Sequence, residues 1–137
     1  MFKKISLGLL SLILASASFA GTLTTDLYRG GNSTSPLMDK VRTVDTTTSG
    51  TIDVDVYDKN GVKWVKANGK GISTFNTALA TKNWWKAPKG TTYPSSLRVY
   101  NDNGNHWTWA PAFDMPLSDY IKLMQQTNSS FTKLPTQ

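Results

Sequence analysis

Alternation of apolar and polar residues is clearest at Ile52-Asp53-Val54-Asp55-Val56-Tyr57, the pattern of a strand with one buried face. Asp58-Lys59-Asn60-Gly61 follows, and its Asn-Gly pair favours the positive φ of a two-residue hairpin turn. Residues 62–67 are therefore expected to return antiparallel. Upstream, residues 23–29 contain a first strand ending at Tyr28-Arg29 and stopped by Gly30-Gly31. Residues 32–36 read as a loop, residues 37–44 as one or two helical turns, and the polar run 46–50 as a loop tip. Residues 76–81 suit a short helix or turn. Trp84-Trp85-Lys86 predicts another strand, ended by the turn chemistry of Pro88-Lys89-Gly90. Residues 96–100 and His106-Trp107-Thr108-Trp109-Ala110 pair across a sharp loop at 101–105. Pro116 suits a helix start, with Tyr120, Ile121, Leu123 and Met124 as its buried stripe. The polar tail from Thr127 is expected to fray. The pattern as a whole predicts an α+β fold of short antiparallel strands with few helices.

The first twenty residues stand apart from this pattern. Met1-Phe2-Lys3-Lys4 is a basic start, residues 5–14 are mostly apolar, and Ser18 and Ala20 supply small residues at the positions a signal peptidase reads. The apolar run is shorter than the about 20 residues a membrane helix needs. Residues 1–20 are expected to be a cleaved signal peptide and residues 21–137 a single mature domain, secreted or periplasmic. That domain has no cysteine, so neither a disulfide nor a structural Cys zinc site can hold it. Five Trp with five Tyr and three Phe supply large apolar burial instead.

The net charge of +6 falls to about +4 without Lys3 and Lys4. A basic surface favours anionic partners, but these lysines are scattered, which argues against nucleic acid as the partner. All nine acidic residues are Asp, and the chain has no Glu. Mechanisms that depend on a glutamate are thereby excluded in their usual form. With His106 as its single histidine, the chain cannot build a multi-His metal site, and no metal is expected. The same poverty of histidine and glutamate disfavours a small basic nuclease.

One stretch concentrates chemistry. Gly69-Lys70-Gly71-Ile72-Ser73-Thr74-Phe75-Asn76 joins two glycines, which permit close backbone approach, to two hydroxyls and a flat apolar ring. By itself such a run suits either a hairpin turn or one wall of a ligand cleft.

Four segments taken in order carry a resemblance. They are Leu27-Tyr28-Arg29, then Gly71-Ile72-Ser73-Thr74-Phe75, then residues 88–97, then His106-Trp107-Thr108-Trp109-Ala110-Pro111-Ala112 followed by Asp114-Met115-Pro116-Leu117. Together they resemble the type VI secretion exported effector two (Tse-two) family of ADP-ribosyltransferase-like toxins, over residues 23–124. The resemblance implies two small, mainly antiparallel sheets forming a cleft for NAD, an unknown macromolecular target and a cognate immunity protein. It further implies that Arg29, Ser73, Thr74 and His106 are catalytic, and that Arg29, Gly71, Ser73, Thr74 and Phe75 hold NAD. A guanidinium suits a diphosphate, and hydroxyls suit a ribose or carboxamide. The glutamate usual in such transferases is missing, which leaves His106 or an inward Asp to share its role. The signal peptide is a second departure, because type VI effectors typically travel without one. A noncatalytic secreted binding module on the same fold is the alternative.

Overall fold

The protein is described from a computed structural model, over residues 19–48, 50–78 and 83–135. Residues 1–18 of the expected signal peptide 1–20, and much of the turn expected at 76–81, lie outside the described residues.

Asn60 and Gly61 both adopt positive φ (52° and 80°), and this lets β3 (Val56–Lys59) turn directly into β4 (Val62–Val65). The register runs from Val56 opposite Val65 to Lys59 opposite Val62. With β10 (Met115–Pro116) these strands form a three-stranded sheet of order β10-β4-β3. Six further strands build the main sheet: β2 (Leu27–Gly30), β5 (Ile72–Phe75), β6 (Trp84–Ala87), β8 (Leu97–Asn103), β9 (His106–Pro111) and β11 (Thr132–Lys133). Their order is β11-β6-β2-β5-β9-β8, and each pairing within it is antiparallel. These are the two antiparallel sheets expected. A third ribbon pairs β1 (Phe19–Thr22) with β7 (Thr92–Pro94). β1 crosses the expected cleavage position, and just beyond it Leu23 is tied to the 90–91 turn by two backbone hydrogen bonds, each 2.8–2.9 Å.

The core lies on one face of the main sheet. Leu27, Ile72, Ala87, Leu97 and Trp109 project from it and are at most 3% exposed. Helix α1 (Leu117–Thr127) closes over that face with Tyr120 and Met124 fully buried. Burying each such side chain contributes about 1.5–3 kcal/mol. Trp109 anchors the layer: its ring packs on Tyr93 and Phe131, and the Tyr120 hydroxyl donates to its carbonyl at 2.6 Å.

Four local expectations are corrected by packing. Residues 52–55 do not join the strand and bend at Asp53-Val54, where Asp53 turns inward to pair with Arg42. Residues 37–44 contain turns and no helix, with Leu37 at φ 57°. In α1, Ile121 and Leu123 are only part-buried, and Thr127 joins Tyr120 and Met124 on the inner stripe. The tail stays ordered through Lys133: Phe131 is 5% exposed, and β11 adds an edge strand to β6.

Candidate active site

Side chains alternate between the two faces of a strand, and in β5 this separates neighbours of like chemistry. Ser73 pairs with Thr108 of β9, and Phe75 pairs with His106. These four residues share the face opposite the core. Ile72 and Thr74 pair with Trp109 and Trp107 and point to the other side. On the open face, His106 Nε2 lies 2.8 Å from Ser73 Oγ, the diagonal contact expected two residues along an antiparallel ladder. The Phe75 ring meets the imidazole edge-on at a centroid distance of 5.4 Å.

The β8–β9 hairpin supplies the third member. Asn103 pairs with His106 and Asn101 with Trp107, leaving Asp102 as the extra residue of a β-bulge. A bulge re-aims the side chain it displaces, and Asp102 Oδ1 comes to rest 2.6 Å from His106 Nδ1. The Thr108 hydroxyl donates to the other carboxylate oxygen at 3.0 Å. Burial pushes the Asp102 carboxyl up, but the hydrogen bonds from His106 and Thr108 outweigh it and hold its pKa below the ordinary 3.8. The His106 and Asp102 side chains stay 29% and 32% exposed, open to proton exchange with solvent.

Ser73, His106, Asp102 and Thr108 line a recess of about 270 Å³, walled by Arg42, the 51–53 bend and Gly69 to Gly71. Gly71 is required there: a Cβ on it would stand 2.0 Å from the Trp109 carbonyl oxygen, far inside contact distance. Arg42 also lines a second recess, with Arg29, Gly30, Leu37 and Lys40. Three cationic side chains therefore border a space that adjoins the His106 recess. Arg42 is fixed by two side-chain hydrogen bonds to Asp53, at 2.9 and 3.0 Å. These raise its pKa against the opposing effect of burial. Its Nη1 faces no partner among the described residues. Lys40 makes no ion pair among them either.

Arg29 lines the second recess and is also anchored structurally. β2 and β5 pair only at Tyr28 and Phe75, and beyond that point the strands part. The Arg29 guanidinium fills the gap, donating to the carbonyls of Ser73 (2.9 Å), Leu37 (3.1 Å) and Pro36 (3.2 Å). Burial lowers its pKa, the dominant effect on this group. A guanidinium has five N–H donors, and these three contacts use three of them.

The expected site residues thus divide. Ser73, Gly71 and His106 meet in one recess, Phe75 stands beside them, and Arg29 borders the adjoining one. Thr74 is turned away: fully buried on the core face, its hydroxyl accepts from Trp109 Nε1 at 3.0 Å and donates to the Trp107 carbonyl at 3.2 Å. That correction follows from strand periodicity, since Thr74 cannot share a face with both its neighbours. Asp102, Arg42 and Lys40 were not singled out from sequence. For Asp102 a signal existed in the Asn103-Gly104 turn that follows it, which folds it back onto a histidine four residues on.

Residues 23–135 match the family profile described as Tse2 ADP-ribosyltransferase toxin. The chain belongs to that family, and it is a toxin domain of the ADP-ribosyltransferase type. No curated protein matches it.

Proposed function

From this membership of the Tse2 ADP-ribosyltransferase toxins, we propose that the cleft binds NAD as its substrate and transfers ADP-ribose to a macromolecular target or to water. The observation that carries this reading is the hydrogen-bonded chain Ser73–His106–Asp102 in a recess joined, through Arg42, to a basic one. The residues fit the ligand's chemistry. A diphosphate suits the unused guanidinium donors of Arg29 and Arg42 and the ammonium of Lys40. Ser73 and His106 suit the hydroxyls of a ribose, and Phe75 offers an apolar edge beside them.

Cleaving the nicotinamide–ribose bond develops positive charge on the sugar, as in glycoside cleavage. Groups aimed at that charge before reaction contribute most of the acceleration. Asp102 carries negative charge into this site through His106, a place that an absent glutamate leaves open. Among the described residues no helix is long and apolar enough to cross a membrane. Export by a signal peptide and an immunity partner belong to the same proposal.

Calorimetric titration of residues 21–137 with NAD, paired with an assay of nicotinamide release, tests it directly. Saturable heat together with nicotinamide release is expected. Absence of both at millimolar NAD would favour the noncatalytic binding module.

A further inference from the structure

We propose that Asp102, His106 and Ser73 form a proton relay that activates the Ser73 hydroxyl, so that this relay does the general-base work a glutamate would do. The inference rests on the reading of the cleft as an NAD site, and it assigns a role to Asp102 that the family resemblance did not supply.

The carboxylate sets the direction of the relay in the neutral ring. The Asp102 carboxylate only accepts, so Nδ1, 2.6 Å away, is the protonated ring nitrogen. In the neutral ring Nε2 then carries the lone pair, and the Ser73 hydroxyl donates to it across 2.8 Å. Thr108 occupies the second carboxylate oxygen and keeps Asp102 from swinging away. A nucleophile-type hydroxyl, a base within hydrogen-bond reach and a third group that orients the base are the parts of an activated hydroxyl on any fold. The bulge that isolates Asp102 from the β8–β9 ladder leaves its carboxylate free for this use.

The proton movements balance. An incoming acceptor hydroxyl gives its proton to Ser73 Oγ as the Ser73 proton passes to His106 Nε2. The acceptor oxygen bonds the anomeric carbon while the carbon–nitrogen bond to nicotinamide breaks, its electron pair staying on the ring nitrogen. The imidazolium, steadied by Asp102, then returns its proton to solvent. Asp102 is a positioning residue here, because it acts through His106.

Two measurements that do not involve NAD test the relay. Nitrogen-15 NMR of His106 should show the neutral ring protonated at Nδ1, and Asp102→Asn should shift the population toward the Nε2-protonated form. A fluorophosphonate probe should label Ser73, and His106→Ala should abolish that labelling. Asp102→Asn should slow it about 10²-fold or more, with the variant still folded and its melting temperature lowered at neutral pH only by the loss of the ionised carboxylate. Nicotinamide release should fall in parallel. An Nε2-protonated ring in the wild type, or absence of labelling at Ser73, overturns the relay. Labelling with the expected tautomer but no NAD binding leaves the relay standing and removes the dinucleotide reading.

Discussion

Ser73 and Thr74 are adjacent hydroxyl residues on one short strand, and they inhabit different worlds. Ser73 faces the open side of the main sheet, bonded to a half-exposed histidine. Thr74 faces the core at 0% exposure, where its hydroxyl satisfies the Trp109 indole. A single step along a strand separates chemistry from packing. The same division runs through the partner strand, where His106 and Thr108 look outward and Trp107 and Trp109 inward. Hydroxyl groups in a β-strand therefore take their role from parity before they take it from chemical type.

The largest expected effect falls on the open face. Ser73→Ala should reduce nicotinamide release about 10²–10⁴-fold, the range for removing a positioned acid–base partner. Its melting temperature should barely move, since the backbone carbonyl that Arg29 holds is unchanged. A large loss of stability would erase the contrast between the faces. Circular dichroism melts beside the turnover assay make the check.

Arg29 straddles the division, and its replacement should break it. Arg29→Ala leaves the carbonyls of Ser73, Leu37 and Pro36 without their donor. Charged hydrogen bonds of this kind contribute about 1.5–3 kcal/mol, so stability to urea and NAD affinity should fall together. Lys40→Ala, by contrast, should weaken NAD binding in a salt-dependent way while leaving the urea midpoint in place. Loss of affinity without loss of stability in Arg29→Ala would make that residue purely a ligand group.

On the core face, Thr74→Val keeps the shape and deletes the hydroxyl. The Trp109 indole N–H then lacks its acceptor in a buried site, at a cost of about 1–3 kcal/mol. Activity per folded molecule should persist, with the damage visible in a denaturant titration. A catalytic defect without destabilisation would return Thr74 to the site.

The smallest effect distinguishes the faces by pH. Asp102 has a folded-state pKa below its ordinary 3.8. Its ionised form therefore stabilises the fold above that ordinary value, and the contribution disappears as pH falls through the depressed pKa. Asp102→Asn should flatten the acid-side decline of the melting temperature below about pH 4. Thr74→Val should lower the melting curve by a similar amount at every pH. Parallel melts from pH 2 to 7 separate the two behaviours.

Much of the sheet was legible because its signals are local. The Asn60-Gly61 pair set the β3–β4 register, and alternation marked β9 and its return against β8. The pairing of Ser73 with His106 was only half legible. Each residue stood out, one as part of a hydroxyl pair and the other as the single histidine, but their 2.8 Å meeting depends on a register between segments thirty-three residues apart. Asp102 stayed hidden for another reason. It is one of nine aspartates, the Asn103-Gly104 turn after it only brings it near His106, and a bulge in the ladder turns its side chain onto the ring. Phe131 and β11 escaped notice because a polar tail carries little periodicity, while the edge of β6 offers it unpaired backbone groups to satisfy.

By itself the sequence determined that glutamate chemistry, disulfides and multi-His metal sites are closed to this protein, because the atoms for them are absent. It also determined short antiparallel strands, since alternation and turn residues act within a few positions. Tertiary structure alone decided which hydroxyl faces the cleft, which aspartate orients the histidine and why Arg29 lies where two strands part. Those outcomes depend on register, bulges and strand divergence, where a shift of one residue sends a side chain to the opposite face.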